Sequence, residues 1–128
     1  MSDLLNPFGV HEQALGARTR RLELIASNIA NADTPRFKAR DIDFKALMNV
    51  AQQSLLATTD AKHFTLSDAD QASETLKYRV PFNAGADGNT VEMSVEQAAY
   101  GKAAADYRAT LNFIESEASS IKRALRGE

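Results

Sequence analysis

The sequence predicts a mainly α fold: long N- and C-terminal helices pairing as a coiled coil, with a small irregular, β-containing middle segment between them. Three observations predict it. Apolar residues recur at alternating three- and four-residue spacings near both ends of the 128-residue chain. Ala supplies 22 residues while Leu, Ile, Val and Phe together supply 28, a balance rich in helix formers and poor in large core anchors. Between the ends, glycine, proline and polar clusters break any long period. The length suits one domain with a modest core. Its expected parts are a core helix over residues 8–32, a middle segment over 33–93 and a second core helix over 94–126.

In the first helix, Leu15, Leu22, Ile25 and Ile29 fall on one face, with Phe8, His11 and Ala32 extending the same phase. Arg18 occupies a position on that seam and interrupts it. Arg18, Arg20, Arg21 and Glu23 otherwise read as a solvated outer face.

The last helix is more regular. From Tyr100, the series Ala104, Tyr107, Leu111, Ile114, Ala118, Ile121, Leu125 keeps a 4-3-4-3 spacing, which is a coiled-coil seam rather than a broad globular stripe. Ser94 with Gln97 three residues later resembles a capping box and places the helix start near Val95, giving about 48 Å of helix to Arg126. Gly101, among Ala98, Ala99, Ala103 and Ala105, offers a surface that another helix can approach closely. Four or five Leu or Ile side chains facing water would forfeit on the order of 10 kcal/mol. One shorter, Arg-interrupted helix does not cover this seam, so the pattern reads as a subunit of a helical assembly.

In the middle, Asp43 is placed to cap a short helix bearing Phe44, Leu47, Met48, Ala51 and Leu55. Residues Thr58 to Lys62 read as a turn. Short strands are expected at His63 to Leu66 and Lys77 to Val80, separated by the polar run SDADQASET. Asn83 to Asn89 reads as a loop whose two glycines suit positive φ.

The residues for catalysis are not visible. There is no cysteine, which excludes disulfides and thiolate chemistry. His11 and His63 lack metal-ligand spacing, and although Asp68, Asp70 and Glu74 suggest a calcium loop, its sixth and twelfth positions counted from Asp68 are Ser73 and Arg79 in place of Gly and Glu. Gly85 and Gly88 match no phosphate loop, and Asp41 and Asp43 read as capping and solvated carboxylates. The chain is expected to be a non-enzyme with no catalytic, metal or cofactor site. A formal charge of -2 gives no field for nucleic acid. The start MSDLLNPFGV has no signal-peptide pattern, and no run is long enough for a membrane span.

The stretch NIANADTP ends the first helix. Asn31 is a candidate C-cap in the left-handed region, Pro35 denies a backbone donor, and Asp33 and Thr34 can fix a turn. Four hydrogen-bonding side chains, Asn28, Asn31, Asp33 and Thr34, fall within seven residues. The run LELIASNIANADTPRFKARDIDF, Leu22 to Phe44, resembles the N-terminal signature of bacterial flagellar axial proteins, the rod, hook and junction subunits. ARDIDF, with the short length, points within them to the proximal rod. TDAKHF and DGNTVEMSVEQ are weaker patterns of the same kind. Where the family often has Gly-Tyr after the proline, Arg36-Phe37 stands here; Phe37 keeps the aromatic, while a turn needing positive φ suits Gly better than Arg36.

The resemblance implies a structural rod subunit whose terminal helices pack into the wall of a hollow drive shaft crossing the periplasm, exported without a cleaved signal through the flagellar type III apparatus. It implies as partners the rod proteins FlgC, FlgF and FlgG, the adaptor FliE, the MS ring and further copies of the chain. Asn28, Asn31, Asp33, Thr34, Pro35 and Phe37 would form the turn motif, locking the corner or bonding an adjacent subunit. Leu15, Leu22, Ile25, Ile29, Tyr107, Leu111, Ile114, Ala118, Ile121 and Leu125 would form the packing seam. The alternatives are a helical adaptor or chaperone gripping an exported partner, and another rod subunit such as FlgC.

Overall fold

The computed structural model describes residues 8–49 and 76–127. Helix α1 spans Gly9–Ala30 and α2 spans Met93–Arg126; strands β1, Arg40–Ile42, and β2, Leu76–Tyr78, lie between them in sequence. The expected fold class holds: two long terminal helices flank a small two-stranded sheet. The helices run antiparallel. Asn28 of α1 meets Glu96 of α2, Arg18 meets Asp106, and His11 meets Glu117.

The buried line between the helices differs from the expected seam. In α2 the buried residues are Glu96, Ala103 and Thr110, spaced at sevens, and in α1 they are Ala17, Leu24, Ile25 and Asn28. Ala103 and Thr110 are short, so α1 can approach closely at these two levels. Ile25 is fully buried, which contributes roughly 1.5–3 kcal/mol. Of the alanine-rich surface, Ala103 faces α1, while Ala98, Gly101 and Ala105 are exposed.

The helix ends follow other rules than those expected. Glu92, not Ser94, precedes the first residue of α2 and makes no side-chain cap. Its carboxylate instead accepts the backbone N–H groups of Phe82 and Asn83, at 3.1 and 3.0 Å, which ties the loop to the helix base. At the far end Gly127 adopts φ 74°, a left-handed C-cap that glycine tolerates without strain. Asn31 ends α1 at φ -101°, outside the left-handed region.

β1 and β2 pair antiparallel, Arg40 opposite Tyr78 and Ile42 opposite Leu76. β2 overlaps the expected strand Lys77 to Val80, beginning one residue earlier and ending at Tyr78; β1 lies inside ARDIDF, whose Asp41 and Asp43 the sequence assigns to capping and solvation. Asp43 does cap the helical residues 44–49, its Oδ1 accepting the Ala46 N–H at 3.1 Å. Ala51, Leu55, the Thr58–Lys62 turn, the His63–Leu66 strand and the SDADQASET run lie outside the described residues. Of the two loop glycines, Gly88 has φ +80°. A Cβ at Gly85 would lie 2.7 Å from Asp87 Oδ1 and 3.1 Å from the backbone carbonyl oxygen of Asn89, a close approach that favours glycine there.

Candidate assembly site

The corner after α1 is held from the other half of the chain. Asn89, nearly fully buried, directs its Nδ2 at the carbonyls of Ala32, Thr34 and Asn31, at 2.8, 2.9 and 3.0 Å. Two hydrogens thereby serve three helix-end and turn acceptors that have no helical partner. Its Oδ1 accepts the Val91 N–H at 2.8 Å. Beside it, Arg36 N donates to Asp87 O, Thr90 N to Phe37 O, and Ala39 N to Thr90 Oγ1. The segment Asp87–Val91 is thus a clamp on NADTP and the residues after it.

Within the corner, Asn31 Nδ2 donates to Ser27 O at 2.8 Å, and Thr34 Oγ1 donates to Asn31 Oδ1 at 3.1 Å. Phe37 N bonds back to Thr34 O, closing a turn with Pro35 second and Arg36 third. Arg36 takes φ 61°, the position where such a turn favours glycine. The departure from Gly therefore leaves the positive φ in place, on a side chain that bears its strain. Asp33 is exposed and makes no side-chain hydrogen bond among the described residues. Pro35 is exposed and Phe37 half-buried.

Asn28 does something else. Its Oδ1 accepts the Arg40 N–H at 3.1 Å and its Nδ2 donates to Arg40 O at 2.8 Å, so the amide pairs with β1 as another strand would. Nδ2 also lies 3.2 Å from Glu96 Oε2. Glu96 is fully buried, and its Oε1 sits 3.0 Å from Arg79 Nη1, a charge contact with no aligned hydrogen bond. Arg79 continues to Asp41 at 2.7 Å, and Asp41 receives a bidentate pair from Arg21 at 3.0 and 3.1 Å. The chain of contacts links α1, β1, the residue after β2 and α2. Arg21, expected on a solvated face, is its outer end.

Burial pushes the Asp41 carboxyl up, but the Arg21 hydrogen bond, the Ile42 N–H and the charges of Arg21 and Arg79 outweigh it and hold it below the usual carboxylate range. The Asp41 hydrogen bond in turn raises Arg21 against its own desolvation. Arg18, the interruption in the α1 seam, reaches Asp106 at 3.3 Å and lies 4.4 Å over the Phe44 ring, a cation–π contact. His11 packs on Phe113 with ring centroids 6.5 Å apart and approaches Glu117 at 3.2 Å.

The expected seam residues divide. Ile25 is buried between the helices; Leu15, Leu22, Ile29, Tyr107, Leu111 and Ile114 are half-buried along its flanks; Ala118, Ile121 and Leu125 are exposed, Leu125 at 84%. Among the described residues no His, Cys, Asp and Glu group could hold a metal ion.

The profile of a family described as flagella basal body rod protein matches residues 8–38, which span α1 and the corner. The chain is 44% identical over 126 residues to a flagellar basal body rod protein FlgB of Aeromonas hydrophila, covering 94% of this chain and 93% of that protein. It is 42% identical to FlgB of Cereibacter sphaeroides over the full length of both. The chain belongs to the FlgB family of flagellar basal-body rod proteins. FlgB of Escherichia coli K12 is a more distant relative, 33% identical over 90% of this chain. As a member of the FlgB family the chain is a structural subunit of the rod and associates with other rod components. The residues 8–38 that carry the family pattern are those that Asn89, Thr90 and Glu96 fasten from behind.

Sequence reasoning missed Asn89 and Glu96, and it placed Ala103 on a close-approach surface without singling it out. A lone Asn beside glycine reads as a turn residue and a Glu in a helix as surface. The one usable signal was the seven-residue spacing of Glu96, Ala103 and Thr110, which a search for large apolar residues passes over.

Proposed function

We propose that this chain builds the proximal rod, packing α1 and α2 into the wall of the hollow shaft while the segment between them faces outward as one part of a single domain. The observation that carries this is the α2 flank. Tyr107, Leu111 and Ile114 are only half-buried by α1, and Ala118, Ile121 and Leu125 lie exposed beyond them on the same 4-3 spacing. A stripe of that length in contact with water is stabilised by burial against neighbouring helices. The neighbours on this reading are FlgC, FlgF, FlgG, FliE, the MS ring and copies of the chain, at a periplasmic site reached through the flagellar type III apparatus without a cleaved signal.

The corner residues Asn28, Asn31 and Thr34 act within the chain on this reading, since their side chains are engaged internally. Asp33 and Pro35 are exposed and open to an adjacent subunit. The test is Leu111→Glu, or Ile114→Glu, in cells, scored by imaging basal bodies. Rings without rods, with the variant chain still synthesised and helical by circular dichroism, are the expected outcome. Normal rods from either variant would sink the packing scheme.

A further inference from the structure

Toward the amino end of α1 the two helices hold each other directly, Arg18 to Asp106 and His11 to Glu117. The end next to the corner is built differently. There Glu96 sets a fully buried carboxylate in the line Glu96, Ala103, Thr110 that faces α1, and α1 answers it with a neutral amide, Asn28 Nδ2 at 3.2 Å. Among the described residues its countercharge comes from neither helix. It is Arg79, one residue past β2, whose Nη1 stands 3.0 Å from Glu96 Oε1. α1 carries a cation of its own, Arg21, but seven residues before Asn28, about 10 Å along the helix, and Asp41 of β1 holds it in a bidentate pair. The signs therefore alternate through four parts of the chain: Arg21 in α1, Asp41 in β1, Arg79 after β2 and Glu96 in α2. With the helices alone, Glu96 would be buried against Asn28 without a countercharge, and a buried charge stripped of its partner is strongly destabilising.

We propose that these four charges are a coincidence lock: the corner end of the α1–α2 pair closes only once the strands have brought Asp41 and Arg79 between the helices, whereas the far end closes without them. The lock is a property of the single chain and does not depend on how copies pack in a rod. Asn28 joins its two halves. The amide that meets Glu96 also pairs with Arg40 N and O, so one side chain is satisfied in full only when β1 and α2 are both in place. Arg79 is aimed by the sheet, through its N–H on Ala39 O at 2.9 Å and its guanidinium on Asp41 at 2.7 Å. The next members of the buried line, Ala103 and Thr110, carry no charge and impose no such condition. A leucine at position 96 would let the helices zip from the corner regardless of what lies between them. The carboxylate withholds that, as a buried polar residue at a core position restricts the pairings open to a coiled coil.

The test is amide hydrogen exchange on the whole chain, read separately at the corner end of the two helices and at the level of Arg18, Asp106, His11 and Glu117. Arg79→Met is expected to lower protection at the corner end by at least about a hundred-fold while the far end stays within about three-fold of the unaltered chain. Glu96→Gln added to Arg79→Met removes the stranded charge and leaves Asn28 an oxygen to meet. It should bring corner protection back to within about ten-fold of the unaltered chain. That rescue separates charge from packing, because a methionine that merely fills the arginine's space badly is not helped by an amide at position 96. Failure of the rescue overturns the lock. So does equal loss of protection at both ends in Arg79→Met, a variant as protected as the unaltered chain, or an unaltered chain with no protection at its corner end.

Discussion

Two side chains decide the corner, and they act in opposite directions. Arg36 sits at φ 61° in a turn position that glycine fills without cost, and a left-handed non-glycine residue costs roughly 1–2 kcal/mol. Against that stands the backbone entropy that glycine loses on folding, about 0.5–1 kcal/mol. Arg36→Gly is therefore expected to stabilise the chain by up to about 1 kcal/mol, seen as a higher midpoint in urea unfolding; a lower midpoint would mean that the arginine side chain matters more than its backbone. Asn89 is the reverse case. Asn89→Ala leaves the Ala32 carbonyl without its donor and the Val91 N–H without its acceptor, while Asn31 O and Thr34 O keep the N–H groups of Thr34 and Phe37, and should lower stability by about 1–3 kcal/mol. The same experiment checks it, and a loss under 1 kcal/mol would show that water replaces the amide.

At the scale of elements, the sheet is fastened to α1 through charge. Asp41 in β1 is held below its usual range by its hydrogen bond from Arg21, by the Ile42 N–H and by Arg79, after overcoming desolvation. A carboxylate with a depressed folded pKa contributes stability above its unfolded pKa, near 3.8, and loses it as pH falls through the lower folded value. Unfolding midpoints should fall with acid from about pH 4 downward, and Asp41→Asn should flatten that slope while lowering stability at neutral pH. An unchanged slope would move the acid response elsewhere, to Asp43, which Lys77 and the Ala46 N–H also hold low.

These elements differ in how far the sequence revealed them. α1 and α2 were legible because many residues repeat one period, so that single misreadings average out. The α1 end was legible because Pro35 and the Asn-rich run act locally. β1 was not: three residues, two of them charged, carry no period, and they are extended because Asn28 and Tyr78 lie on either side. The seam was displaced by about one residue for a related reason. Ala103 and Thr110 face α1 because small residues allow close approach, whereas the period search weighs size. Glu96 and Asn89 are buried only because residues from the other half of the chain reach them, and no local pattern encodes that.

For the whole molecule, the distances along the chain matter as much as those through space. Asn28 meets Glu96 across 68 residues, and Asn89 grips carbonyls 55 to 58 residues earlier. Closing such loops costs entropy before any contact repays it. A polypeptide that emerges amino end first, from a ribosome or any narrow conduit, presents its opening helix and corner well before it presents their fasteners. Until residues 87–90 are out, the carbonyls of Ala32 and Phe37 and the N–H groups of Arg36 and Ala39 keep only water for company. The first corner to be made is thus among the last to be finished, and a chain cut short before Asn89 holds the family's signature without the clasp that gives it shape.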